Sequence, residues 1–563
     1  MILPHINNIA AICAKHGINT AVISPGSRSA PITLAFNAHP EIDIKVISDE
    51  RSAAFIALGM AQQQGKPVVL ICTSGSAVYN YAPAVAEAFY QEIPLLILSA
   101  DRPPEWMNQY DGQTIQQNGI FGKHVKHSFQ FPVEGAHKDD LWFANRITNE
   151  AIISCRSFPK GPVHINIPLR EPFYPSAEEK ISFDENVRII DSPSSEPKLS
   201  DEAWNDLAGI WASSNKHLVV IGQLEPDLKL QETLQSFAKN HNVVVVNDII
   251  GNQHLIKGSV QHQDAFLQAG HFENLKELRP DLLITIGKSL ISKNLKLFLR
   301  EHPPKNHWHI HQSTQVNDTL QHVTKSINVD PSYFFGELNH LISKPSNSAF
   351  NKQWLDKEEL AINVSRKFLD TCSFGELKAI DTCLNVLPDQ SLLHLANSMT
   401  VRYANILGTQ KAIEVFANRG TSGIDGSNST AVGAALAQDK MVTLFTGDMA
   451  FFYDRNAFWH NENLSNLRIV VLNNQGGGIF RMINGPRSQA DYEKLFHTEQ
   501  SLNAELTAEE FGFEYLSSDN KTGLDTHLES FFEHAERPKI LEVFSDSQQN
   551  TEIYEAFKNL FLV

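Results

Sequence analysis

The strongest constraint on this chain is a rhythm. From Thr20 onward, short β-branched runs (Thr20 to Ser24, Ile44 to Ser48, Val68 to Cys72, Leu95 to Ser99) alternate with helix-period stretches such as Arg51 to Gln64 and Ala77 to Gln91. That alternation is the mark of βαβ units, whose crossovers set neighbouring strands parallel. A doubly wound sheet built this way carries its ligand-binding loops at the carboxyl ends of the strands. The first block closes with Val163 to Ile167 and the proline-rich Pro168 to Pro175. Two polar stretches then interrupt the pattern, Asp191 to Ser200 with its Ser192-Pro193-Ser194-Ser195-Glu196-Pro197 core, and Lys344-Pro345-Ser346-Asn347-Ser348. Both carry few groups able to pack and read as linkers. Between them lie strand candidates Leu218 to Ile221, Val243 to Val246, Leu282 to Ile286 and Trp308 to His311. Beyond them come Leu392 to Leu395, Ile413 to Ala417, Val442 to Thr446, Ile469 to Leu472 and Ile540 to Phe544. The expectation is an α/β fold with three doubly wound parallel-sheet domains, at residues 1–180, 195–345 and 355–563. No short-period repeat is present, although the first and third blocks could be distant copies in architecture.

Composition narrows the partners. A chain of 563 residues with 42% hydrophobic and 20% charged residues is an ordinary globular protein, neither disordered nor fibrous. Its net charge of −17 opposes binding to nucleic acid or an anionic membrane, so any anionic ligand must be held by a local basic cluster. The longest apolar run, Ile93 to Leu98, falls far short of the ~20 residues of a membrane span. Met1 to Ala10 lacks the pattern of a secretory leader, and the expected location is cytoplasmic. Cys13, Cys72, Cys155, Cys372 and Cys383 contain no C-x-x-C pair and read as free thiols.

The chemistry concentrates in the third block. One strand runs into Gly447-Asp448, and the next into Asn473-Asn474-Gln475-Gly476-Gly477-Gly478, one strand-helix-strand step later. If those strands are neighbours, Asp448 and Asn474 emerge at the same sheet edge. A carboxylate, an amide oxygen and a backbone carbonyl are the hard donors that bind Mg²⁺ beside phosphate oxygens, and glycines let the backbone approach a phosphate. Asp448 alone would read as a helix cap; the paired spacing makes the site. In the first block, Ser48-Asp49-Glu50-Arg51-Ser52-Ala53 sits at a strand-to-helix junction, where Glu50 by itself would only complement the helix dipole.

Together these residues resemble the thiamine-diphosphate enzymes of pyruvate decarboxylase-like build. Gly447-Asp448 followed by Asn473-Asn474 looks like the family's diphosphate motif, and Glu50 like its activating glutamate. Ser24-Pro25-Gly26-Ser27-Arg28-Ser29, Thr73-Ser74-Gly75-Ser76, Ala100-Asp101-Arg102-Pro103-Pro104-Glu105 and Asn418-Arg419-Gly420-Thr421-Ser422-Gly423-Ile424-Asp425-Gly426 resemble the menaquinone-pathway synthases within that family. The resemblance implies a pyrimidine-binding first domain, a central domain and a diphosphate-binding third domain. It implies thiamine diphosphate as cofactor, Mg²⁺ (or Mn²⁺) as metal, and 2-oxoglutarate and isochorismate as substrates. It also implies a homodimer or homotetramer whose sites lie between subunits.

Residue by residue, the resemblance makes Glu50 the partner of the aminopyrimidine N1′, with Ser27, Arg28 and Gln113 also catalytic. Asp448, Asn474 and the carbonyl of Gly476 would hold the metal; Ser422, Gly423, Ile424, Gly447, Met449 and Gly477 would complete the cofactor cradle, with Ile424 beneath the bent cofactor. Arg102, Lys293, Ser398, Arg402, Arg419, Ile479 and Phe480 would bind substrate. Arginine suits dicarboxylates because its planar fork binds them bidentately. Three positions depart from the family pattern: Met449 stands where glycine is frequent, Asn294 where some relatives carry a second base, and Gly112 removes an amide beside Gln113. The alternatives are another thiamine-diphosphate 2-oxoacid decarboxylase, an acetohydroxyacid-type carboligase, or a non-catalytic metabolite-binding relative. Gly287-Lys288-Ser289 resembles a P-loop end but lacks the earlier glycine. His307, His309 and His311 alternate on one strand face without a local cysteine or carboxylate to complete a metal site.

Overall fold

A computed structural model describes residues 3–176, 179–193 and 195–562. Met1 and Ile2 of the start, Ser194 of the first linker stretch and the last residue, Val563, lie outside them. The first sheet contains β1 (Thr20–Ile23), β2 (Asp43–Val46), β3 (Val68–Cys72), β4 (Leu95–Asp101), β5 (Ser128–Gln130) and β6 (Val163–Pro168), in the order β2-β1-β3-β4-β6-β5. The middle sheet contains β7 (His217–Ile221), β8 (Val244–Asn247), β9 (Leu282–Ile286), β10 (Asn306–Ile310) and β11 (Lys325–Ile327), in the order β11-β10-β9-β7-β8. The third contains β12 (Leu392–Leu395), β13 (Glu414–Phe416), β14 (Val442–Gly447), β15 (Leu467–Asn473), β16 (Glu514–Ser518) and β17 (Lys539–Phe544), in the order β13-β12-β14-β15-β17-β16. Every pairing between these strands is parallel.

Counted from its own first strand, each outer sheet runs 2-1-3-4-6-5, so the first and third units share one winding. The central parallel strands are buried on both faces, which is why β3 reads as an unbroken apolar run, Val-Val-Leu-Ile-Cys. The short edge strands β5, β11 and β16 had no sequence signal.

The two outer units are joined through a pair of small-residue helices. The helix Glu50–Gln64 is capped by Asp49, whose side chain accepts from the Ser52 N–H, and ends at Gly65 in the left-handed region. It lies against the helix Ser427–Ala437. A Cβ at Gly59 would sit 2.1 Å from the Thr430 carbonyl oxygen, and one at Gly433 2.0 Å from that of Ile56. Their main chains therefore touch. The apolar core continues across this contact, with Phe55, Leu58 and Leu70 in one cluster with Val432, Leu444 and Phe458. No helix among the described residues is long and apolar enough to cross a membrane.

Candidate active site

In the third sheet the chain order reverses between β12 and β14, and loops leaving strands on either side of such a point part to leave a crevice. β14 and β15 pair with Gly447 opposite Leu472, so Asp448 and Asn473-Asn474 leave the sheet side by side. A cavity of about 380 Å³ opens there.

Asp448, 2% exposed, starts the helix Asp448–Tyr453 and accepts a hydrogen bond from Gln500 Nε2 at 2.7 Å. Burial pushes its carboxyl up to about 6, against the Gln500 bond and backbone N–H groups that favour the carboxylate. Asn474 donates from Nδ2 to Glu376 Oε1 at 2.6 Å. Its Oδ1 is buried and receives no hydrogen bond from a described residue. Burial lifts the Glu376 carboxyl to about 7, with the neighbouring Asp448 charge adding to the rise and the Asn474 bond opposing it. Gly476 has φ +157°, and a Cβ there would meet the His497 carbonyl oxygen at 2.7 Å. Only glycine fits that approach.

This corner presents a carboxylate, an unpartnered amide oxygen and a glycine carbonyl, while neither Asp448 nor Glu376 has a lysine or arginine within 4 Å among the described residues. Buried negative charge without a counter-ion, lined by hard oxygens, fits a divalent cation that also binds phosphate.

The same cavity also carries two cations. Arg402 donates to the Ser398 carbonyl and Arg419 to Asn397 Oδ1 at 2.8 Å. The Arg419 Nε is buried with no described acceptor. Burial and then the charge of Arg402 lower the Arg419 pKa, and burial lowers that of Arg402. Neither has a carboxylate within 4 Å among the described residues, so the pair offers charge to an incoming anion. Ser398 between them adopts φ 77° and ψ −132°, a conformation that costs a non-glycine residue about 1–3 kcal/mol.

Ser398, Arg402, Arg419, Ser422, Ile424, Gly447, Asp448, Met449, Asn474, Gly476, Gly477, Ile479 and Phe480 all line this cavity. Gly423 lies just behind it, its carbonyl accepting from Asn397 Nδ2 at 2.7 Å. The first-block residues gather elsewhere, at the carboxyl edge of the first sheet. Ser27 and Arg28 follow β1, Glu50 follows β2 and Arg102 follows β4. Gln113 packs its Cα 3.2 Å from where a Cβ on Gly75, after β3, would stand. Arg28 is buried, donating to the Leu169 carbonyl at 2.8 Å with its guanidinium 4.5 Å from the Phe173 ring. Arg102 pairs with Asp111 at 2.5 Å and donates to the Gly112 carbonyl. Ser27 shares a hydrogen bond with the Tyr174 hydroxyl at 3.2 Å. Glu50 heads its helix, half-buried, beside Cys72 and Tyr81. Lys293 is exposed on the middle unit and lines neither this cavity nor that edge.

Glu376, Asn397 and Gln500 were not read from the sequence. No local pattern marks them, since each acts from a distant segment. Of the patterns set aside, Lys288 is taken up by the Gln91 carbonyl at 2.7 Å. His307 and His309 both share hydrogen bonds with Thr285 Oγ1 at 2.9 Å, and no metal-holding group of His, Cys, Asp or Glu occurs among the described residues.

Comparison with known proteins agrees with this geometry. Residues 6–122 match the thiamine pyrophosphate enzyme N-terminal TPP-binding domain, 195–395 the middle domain of thiamine pyrophosphate enzymes, and 397–543 the C-terminal TPP-binding domain. Three parallel-sheet units with a phosphate-type corner at the third sheet's edge thus define a thiamine-diphosphate enzyme. Over 555 residues the chain is 46% identical to the 2-succinyl-5-enolpyruvyl-6-hydroxy-3-cyclohexene-1-carboxylate synthase of Cytophaga hutchinsonii, covering 98% of both chains. It is 37% identical to the synthases of the same name from Flavobacterium johnsoniae, over 99% of both chains, and Bacteroides thetaiotaomicron, over 98% of both. The chain belongs to the 2-succinyl-5-enolpyruvyl-6-hydroxy-3-cyclohexene-1-carboxylate synthase family.

Proposed function

We propose that this chain decarboxylates 2-oxoglutarate and adds the resulting four-carbon unit to isochorismate, giving 2-succinyl-5-enolpyruvyl-6-hydroxy-3-cyclohexene-1-carboxylate and CO₂ in menaquinone biosynthesis. The observation that carries this reading is the pairing, in one cavity, of a cation-seeking oxygen corner with two half-buried guanidinium groups that have no carboxylate counter-ion among the described residues. The first suits a metal-bound diphosphate and the second suits dicarboxylate substrates. When bound, thiamine diphosphate supplies the nucleophilic carbon and the electron sink for loss of CO₂.

The protein's part is to hold and charge the reactants. Asp448, Asn474 and the Gly476 carbonyl hold Mg²⁺, with Mn²⁺ as substitute, while Gly447, Met449 and Gly477 frame the diphosphate. Ser422, Gly423 and Ile424 support the cofactor from below. Glu50 holds a proton at the aminopyrimidine N1′. Arg28, Arg102, Arg402 and Arg419 bind substrate carboxylates, with Lys293 reaching in from the exposed start of its helix on the middle unit; Ser27, Gln113 and Ser398 add neutral hydrogen bonds, and Ile479 and Phe480 form the apolar side. Small monocarboxylate substrates would leave most of these cations unmatched.

Glu50 does not line the cavity of its own chain, which supports a site shared by two subunits of a cytoplasmic homodimer or homotetramer. The functional units are then a pyrimidine-binding unit at 1–180, a central unit at 195–345 and a diphosphate-binding unit at 355–563. The test follows CO₂ from 2-oxoglutarate with and without isochorismate. Formation of the succinylated ring product only when both are supplied is expected; CO₂ from pyruvate with none from 2-oxoglutarate rejects the reading. An active monomer in sedimentation at assay concentration rejects the shared site.

A further inference from the structure

We propose that Glu376 is a positioning residue whose buried carboxylate turns the Asn474 amide so that its oxygen faces the divalent cation. This rests on the metal site of the preceding reading. An asparagine amide is almost symmetric in shape, with a donor at one end and an acceptor at the other. Facing a cation, only the oxygen end binds; the NH₂ end repels. Something must therefore break the symmetry.

The arrangement around Asn474 does so. Its Nδ2 donates to Glu376 Oε1 at 2.6 Å, and its Oδ1 is left buried without a described donor on the wall it shares with Asp448 and Gly476. With Oε1 taken as acceptor by the Asn474 amide, a reversed amide would set oxygen against oxygen, unless the carboxyl were protonated, and would point NH₂ at the metal position. Glu376 is itself held still. It is 3% exposed, begins the helix Glu376–Val386, and its main-chain N–H donates to Asn550 Oδ1 at 2.9 Å. It has no lysine, arginine or histidine within 4 Å among the described residues, so no ion pair accounts for a carboxyl in that place.

The experiment measures Mn²⁺ binding to the full-length protein with thiamine diphosphate present, from the electron paramagnetic resonance signal of free Mn²⁺. Groups that orient a metal's ligands govern affinity by about 10- to 100-fold, so Glu376→Ala is expected to weaken Mn²⁺ by that factor. Glu376→Gln keeps a carbonyl acceptor but can also donate, leaving the amide's symmetry partly unbroken, and is expected to bind between the unmodified protein and Glu376→Ala. Asn474→Asp sets two carboxylates together and is expected to bind about tenfold more weakly. In that background Glu376→Gln, which can donate to the new carboxylate, is expected to restore binding to within about threefold of the unmodified protein. A merely structural Glu376 would not yield this reversal of sign. Mn²⁺ binding by Glu376→Ala equal to that of the unmodified protein, or no gain from Glu376→Gln in the Asn474→Asp background, overturns the proposal. Should Glu376→Ala fail to fold, the isosteric pair still decides. If the unmodified protein binds no Mn²⁺ with thiamine diphosphate, the metal site of the functional reading fails instead.

Discussion

The first and third sheets share a strand order and differ in what stands at their carboxyl edges. At the third, charge is left unmatched among the described residues: an amide oxygen without a donor, two carboxyls without a cation, two guanidinium groups without a carboxylate. At the first, the basic groups are tied within the chain, while the hydroxyls of Ser24 and Ser74 are buried without a partner among the described residues. Arg28 is tied to Leu169, Arg102 to Asp111 and Gly112, and Ser27 to Tyr174. Even the backbone is closed there, since a Cβ on Gly26 would fall 2.2 Å from that of Thr73. The winding thus fixes where an edge lies, and the residues on it decide whether it waits for a ligand.

The sharpest way to break this comparison is to disable each edge on a different chain. Glu50→Gln should keep cofactor binding but lose about 10²- to 10⁴-fold in turnover, and Asp448→Ala should lose metal and cofactor together. Mixed after subunit exchange, the two inactive variants should recover about a quarter of normal activity, because half of the dimers then hold one intact site in two. No recovery would place both edges of a site on one chain.

Next in size is the contact that holds the outer units together. Gly59→Ala puts a methyl group into the Thr430 carbonyl and should cost about 3 kcal/mol or more, read by thermal or denaturant unfolding. Arg419→Lys loses the planar fork and should raise the KM for 2-oxoglutarate about 10- to 100-fold with a smaller change in kcat.

Acid probes the open edge. The Asp448 carboxyl, held up at about 6, must be ionised to bind metal, so Mg²⁺ affinity should fall about tenfold per pH unit below that value. Without metal the sign reverses: the folded state then binds the Asp448 proton more tightly than the unfolded chain, and this group costs stability as pH rises from about 4 to 6. Titrations of Mg²⁺ binding and of metal-free unfolding would check both slopes. The smallest effect belongs to the satisfied edge. Asp111→Asn frees Arg102 from a half-exposed ion pair of at most about 1 kcal/mol, and should lower substrate KM by no more than about fivefold.

The sequence was most readable where burial is complete. β3, β9 and β12 match their expected spans because both faces are covered and the apolar run is continuous. β5, β11 and β16 escaped because edge strands are half-exposed, and β5 and β11 span only three residues each. The site divides the same way. Asp448 and Asn474 were found from consecutive strands, whose spacing is a local property of the chain. Glu376 and Gln500 reach the same corner from a helix start and a late loop, and a buried glutamate has no sequence pattern of its own. Lys293, expected from the resemblance, stands exposed at the start of the helix Lys293–Glu301 and is not among the residues lining this cavity.

The glycines at 59 and 433 carry a mechanical consequence. With bare peptide planes in contact and no side chains to slide as a bearing, the outer units cannot part like jaws without breaking their shared core. A hinge between the outer units is thereby closed off, and any rearrangement at the sheet edges has to come from the loops that leave the strands rather than from the frame.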